Sequence, residues 1–190
     1  MNTIDIICGY SDSFSTNCFN TCTEHLLLGT HGRSDEAIYL YFDFSSAAPL
    51  EGIKEAKLIL YKIPIFHEWN HSIMPDNPYY IAPLTDYYST FHSYYRMPQI
   101  NSLYESSFES EACNSYVEIN VTAIMNAWIG GNLENKGLLL TGEPEAPPLS
   151  FASHTFNSFR MRPMIRIIPL HSPTQELSET PCIVTINECS

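Results

Sequence analysis

Residues 116–140 constrain the fold most, because they change hydrophobic period twice within one continuous stretch. Val117, Ile119 and Val121 alternate with Glu118, Asn120 and Thr122, which is the period of a strand with one face buried. Ile124, Met125 and Trp128 then recur at helical spacing. Thr122 stands where a residue of its type caps a helix, so the spacing predicts one short helix near 122–130. Gly130, Gly131 and Asn132 end it, since such residues accept positive φ at little cost. Asn135, Lys136 and Gly137 turn the chain into a second apolar run, Leu138, Leu139 and Leu140. Strand, short helix, turn and strand in such close succession belong to a β-sandwich, with Trp128 on the inner side of the helix plugging one end.

The remainder reads the same way. Leu26, Leu27 and Leu28 form an apolar run that leads into a turn through Thr30, His31 and Gly32. Residues 37–44 are a continuous apolar strand ended by Pro49 and Gly52. In residues 53–63, Ala56, Leu58 and Leu60 share one face and Lys57, Ile59 and Tyr61 the other. A strand is expected over 79–84, among loops punctuated by Pro64, Pro75, Pro78, Pro83 and Pro98, and residues 162–168 supply the closing strand. Thirteen Pro against nine Lys plus Arg, with abundant Tyr and Phe, oppose a helical bundle. The 190 residues thus divide into one domain over 1–168 with room for a sizeable core, a linker over 169–181, and a β-prone tail over 182–190.

A formal net charge of −12 excludes nucleic acid as a partner, because the phosphate contacts need a basic patch. No apolar stretch is long enough to insert in a bilayer. The first basic residue is Arg33, so no recognisable signal peptide is expected. An extracellular or spore-surface location reached without one is the expectation that also accommodates oxidising cysteine chemistry.

Cysteine placement carries that last point. Cys8, Cys18 and Cys22 lie near the N-terminal end, Cys182 and Cys189 near the other, and only Cys113 is central. Six cysteines allow fifteen pairings, and spacing does not choose among them. Free thiols, disulfides within or between chains, and a zinc site using Cys18, Cys22 and His25 are all open; the last lacks a second half at matching spacing. Cross-linking by all six is the reading adopted.

The tail adds to it. Residues 169–181 are rich in Pro, Ser, Thr and Glu, and Cys182, Ile183, Val184, Thr185 and Ile186 follow as a β-prone run. A strand beyond a finished domain exposes unpaired backbone groups unless it docks. It can fold back on its own sandwich or add to the sheet of a neighbour. Head-to-tail addition builds open filaments.

One motif points to catalysis. His67, Glu68, Trp69, Asn70 and His71 match H-E-x-x-H, which on a helix presents two imidazoles to zinc and a Glu as base. Pro64 and Pro75 bracket it inside a loop-rich region, so it reads as a chance match. No Gly-x-Ser-x-Gly elbow or phosphate loop is present. No catalytic residue, metal or cofactor is therefore expected.

Several motifs occur together in a fixed order. Phe42-Asp43-Phe44-Ser45 is followed by residues 53–61, then by Ile119-Asn120-Val121-Thr122 with Trp128, Asn135 and Gly137-Leu138-Leu139-Leu140, then by Phe151-Ala152-Ser153 and Arg162-Pro163. Over roughly residues 5–168 this order resembles the DNRLRE-domain proteins of bacteria and archaea, with Asn120 in place of the usual Asp and Tyr87-Tyr88 near the usual loop Trp. The resemblance implies a jelly-roll β-sandwich without a catalytic constellation, found on surface proteins and related to some carbohydrate-binding modules. The function expected is a non-enzymatic subunit that self-assembles into a fibre or coat layer through terminal strand exchange and cysteine cross-links. A carbohydrate-binding module is the alternative, with Tyr79, Tyr80, Tyr87, Tyr88, Tyr94 and Tyr95 offering ring faces to a surface polysaccharide.

Overall fold

A computed structural model describes residues 3–15, 24–31, 34–45, 50, 52–64, 79–90, 96–111 and 113–170. The strands, in chain order, are β1 (Ile4–Ile7), β2 (Tyr10–Phe14), β3 (His25–His31), β4 (Ser34–Tyr41), β5 (Ile53–Tyr61), β6 (Tyr79–Pro83), β7 (Ser106–Phe108), β8 (Tyr116–Asn120), β9 (Leu138–Gly142), β10 (Leu149–Ala152) and β11 (Met164–Pro169), with the helix α1 (Thr122–Ile129) between β8 and β9. They form a four-stranded sheet, β1-β11-β5-β8, and a larger sheet, β10-β3-β4-β9-β6-β7, in which β2 also pairs with β4. With β2, β3 and β10 set aside, each step from one strand to the next crosses between sheets except the β6–β7 pair. That alternation is a jelly roll, two antiparallel sheets wound together.

Alternation along each strand explains why the sheets face each other. Ala56, Leu58 and Leu60 of β5, Val117 and Ile119 of β8, Ile38 and Leu40 of β4, Leu138 and Leu140 of β9 and Ile165 and Ile167 of β11 all enter one core cluster. The opposite residues of the larger sheet build a second, thinner layer. Phe14, Ala37, Tyr39, Leu84 and Leu139 are buried on its outer face, with Tyr41, Tyr88 and Ile100 packed against them.

Three local expectations are corrected. Thr30 and His31 are strand residues, because β3 runs on to pair Gly29 with Glu36, Thr30 with Asp35 and His31 with Ser34. Gly29 has φ +89°, and a Cβ there would lie 2.5 Å from the Pro147 carbonyl oxygen, so it serves close packing rather than a turn. Thr122 does not cap α1: Val121 holds that position without a side-chain bond. The Thr122 hydroxyl instead accepts from the Ala56 N–H at 2.9 Å and lies 2.7 Å from Asn120 Oδ1. Trp128 is only partly buried, against Phe44 at 5.6 Å between ring centres, while Ile124 and Met125 plug the end of the core.

Both sides of the four-stranded sheet end in an edge. The outer edges of β1 and β8 pair with no other described strand. By contrast, β10 is covered, since Lys62 bridges Phe151 and the Ile63 N–H donates to the Ser150 carbonyl at 2.8 Å.

Candidate functional site

Edge strand β8 ends the four-stranded sheet, with one side unpaired by any described strand. It pairs with β5 in the register Leu58↔Ile119 and Leu60↔Val117, and the Val121 N–H donates to the Ala56 carbonyl while the Lys62 N–H donates to that of Ser115. Strand alternation then directs the backbone groups of Tyr116, Glu118 and Asn120 away from β5, towards the open edge. Those three residues are exposed, whereas Val117 and Ile119 are buried. Lys57 holds Glu118 at 3.2 Å on the sheet surface. At the Asn120 end lies a groove of about 480 Å³, lined by Leu103, Tyr104, Asn120, Thr122, Ala123 and Ile124 among others. Leu103 stands on its rim, 89% exposed.

Cys113 sits at the other end, exposed and free, just before β8 begins. Lys62 lies beside it and bonds the Glu111 carbonyl. Burial pulls the Lys62 ammonium down, and the nearby charges of Cys113 and Glu111 oppose that shift.

Cys8 is in a different situation from the one expected of a cross-linking residue. It is a free thiol 5% exposed in the core, donating to the carbonyls of Tyr10 at 3.0 Å and Tyr41 at 3.4 Å. Burial pushes it up to about 12, so it stays protonated and shielded at neutral pH. Cys18, Cys22, Cys182 and Cys189, the run 182–186, and His67 and His71 all lie outside the described residues. His25 is in β3, its ring 6.0 Å from that of Phe156.

The tyrosines separate by role. Tyr79 is buried, stacked on Phe108 at 5.5 Å and donating to the Pro147 carbonyl at 2.5 Å, so neither ring face is open to a sugar. Tyr80 donates to Glu143 at 2.6 Å. Tyr88 stacks on Tyr39 at 4.1 Å and donates to Asp12 at 2.6 Å, which seals the outer apolar layer. Tyr87 is 69% exposed, bonded to Glu134 and with the Lys136 ammonium 4.9 Å from its ring centre. Tyr94 and Tyr95 lie outside the described residues.

Sequence reasoning passed over one polar cluster. Ser11 and His154 form a closed pair: the Ser11 N–H donates to His154 Nδ1 at 3.0 Å, and the His154 N–H donates to Ser11 Oγ at 2.9 Å. The Ser11 hydroxyl also lies 2.9 Å from Nδ1. Burial, with Arg162 nearby, pulls His154 below its ordinary value, so a neutral ring accepts at Nδ1. Ser11 is itself 6% exposed. These groups satisfy one another on the flank of β2, and the hydroxyl is not free to attack a substrate. Their signal, a lone Ser and a distant His, has no local pattern to find. Among the described residues, no three His, Cys, Asp or Glu side chains gather as a metal site.

No protein-family model matches this chain, and no curated protein matches it.

Proposed function

We propose that this chain is a non-enzymatic jelly-roll subunit that assembles with copies of itself into a fibre or coat layer at a cell or spore surface, by strand addition and cysteine cross-links. The observation that carries the reading is a filled core beside an unfinished sheet. Every core strand packs, yet β1 and β8 each present an edge that no described strand covers. An open sheet edge of this kind can template pairing with another chain. The DNRLRE-type order of motifs supports the same reading through the surface proteins it resembles. Removing residues 178–190 tests it: the truncated protein keeps its cooperative melt and forms no fibres in electron micrographs. Fibres from the truncated protein contradict the reading.

Binding of a surface polysaccharide is a second reading, favoured by the open ring of Tyr87 beside Glu134 and Lys136, since a sugar stacks on an aromatic face and bonds to flanking charges. On a glycan array, this reading requires a signal that Tyr87→Ala removes.

A further inference from the structure

Backbone direction at the two open edges is fixed by the bonds that β8 and β1 already make. In β8 the groups of Tyr116, Glu118 and Asn120 face away from β5, as described above. In β1 the Cys8 N–H donates to the Pro163 carbonyl. With Ile6↔Ile165 and Ile4↔Ile167 in register, the backbone groups of Ile4 and Ile6 face β11, and those of Asp5 and Ile7 face the open side. Side-chain direction matches across the two edges. Val117 and Ile119 are in the core and Ile4 and Ile6 pack against it, whereas Glu118 pairs with Lys57, and Asp5 with Arg166, on the outer surface of the sheet. On both strands the backbone groups left to pair thus belong to outward residues. A ladder between β8 and β1 therefore keeps the apolar side chains of both strands on one face. Strand direction agrees as well. Each of the three pairings in this sheet is antiparallel, so β1 and β8 run in opposite directions, and two copies in the same orientation bring β8 of one antiparallel to β1 of the other.

We propose that β8 of one copy pairs antiparallel with β1 of the next, so that the four-stranded sheet continues from copy to copy. The register sets Asn120 opposite Asp5, Ile119 opposite Ile6 and Glu118 opposite Ile7. Within one copy Asp5, Arg166, Lys57 and Asn120 already lie in one row across the sheet, and Ile6, Ile165, Leu58 and Ile119 in another. Both rows run on unbroken into the next copy. Charge selects this pairing over its rivals, because like charges directly opposite destabilise a sheet. Pairing β8 with a second β8 about its centre faces Glu118 with Glu118, and pairing two β1 strands about Asp5 faces Asp5 with Asp5. The β8–β1 register that sets Tyr116 opposite Ile7 faces Glu118 with Asp5. In the register proposed no acid opposes an acid: the Asn120 amide meets Asp5, which Arg166 of its own copy holds at 2.8 and 2.9 Å.

This joint rests on the assembly proposed above and names the surfaces that meet in it. Two different edges join, so the contact is head-to-tail. Each added copy offers a fresh β8 at one end and a fresh β1 at the other, and growth stays open. Backbone bonds from Asp5, Ile7, Glu118 and Asn120 supply the attraction, and the pair Ile119 and Ile6 extends the apolar face across the boundary.

Two edge prolines test the joint. Glu118→Pro and Asp5→Pro each remove an N–H that faces the open side, so the β5 and β11 ladders stay whole and both variants are expected to keep a cooperative melt. Full-length wild type and variants are compared by sedimentation velocity. The wild type is expected to form oligomers of many sizes, and each variant alone to be monomeric. Mixed in equal amounts, the two variants are expected to form dimers and nothing larger, since one brings an intact β1 and the other an intact β8. Dimers of Asp5→Pro alone point to β8 pairing with itself and overturn the joint. Folded variants that assemble like the wild type, or a mixture that stays monomeric, overturn it too, and each of these results leaves the assembly reading standing. A wild type that stays monomeric overturns both. Should either variant not fold, amide exchange in wild-type assemblies decides. Protection of Asp5, Ile7, Glu118 and Asn120 relative to the dissociated protein is expected, and exchange at the dissociated rate at these four overturns the joint.

Discussion

Gly137 illustrates how much one residue can carry. Its φ is +97°, and a Cβ there would meet the Tyr39 ring and lie 2.7 Å from the Leu40 carbonyl oxygen. The turn in Asn135-Lys136-Gly137 was legible from residue type, but its reason is the tyrosine packed beneath it. Gly137→Ala is expected to cost about 2–4 kcal/mol, from a strained backbone and a displaced ring, read as a lowered midpoint in urea. The two described cysteines differ as sharply. In the native protein at pH 8, iodoacetamide is expected to modify Cys113 and spare Cys8, because only the first is exposed and the second is held up to about 12. Peptide mapping checks this, and modification of Cys8 at the rate of Cys113 contradicts it.

At the level of elements, strands with an apolar alternation or a short apolar run were legible: β5, β8, β9 and β11 fall where their patterns place them. β2 was not, for a physical reason. Its inward residues are Ser11 and Ser13, buried despite being polar, so the face that enters the protein carries no hydrophobic signal, and its partner His154 comes from far along the chain. The start of α1 was misread because tertiary contact overrides the local rule. Thr122 spends its hydroxyl on β5 rather than on its own helix, while Asn120 accepts the Thr122 N–H at 3.0 Å. Thr122→Val therefore leaves the Ala56 N–H without its acceptor, at a cost of about 1–3 kcal/mol. Thermal unfolding measures it; a cost near zero contradicts the joint between β5 and α1. The tyrosines were legible as a group but not by role, since burial of Tyr79 and exposure of Tyr87 depend on which strands flank them.

For the whole molecule, three buried groups predict how stability depends on pH. Cys8 rises from 9.0 to about 12, and Tyr39 and Tyr79 rise from 10.0 to about 12, each because burial disfavours its anion. The unfolded chain releases these protons from about pH 9 upward, whereas the folded chain holds them. Stability is thus retained below pH 9 and falls as pH climbs towards 12. Urea midpoints across that window check the sign, and Cys8→Ala is expected to flatten the fall. Among the described residues the molecule is a filled core with open edges at β1 and β8, and the assembly proposed above joins copies through such edges. Electron microscopy of the untagged full-length protein, with and without reductant, tests this most directly. Ordered fibres that weaken or shorten under reductant are predicted; discrete monomers in both conditions contradict assembly.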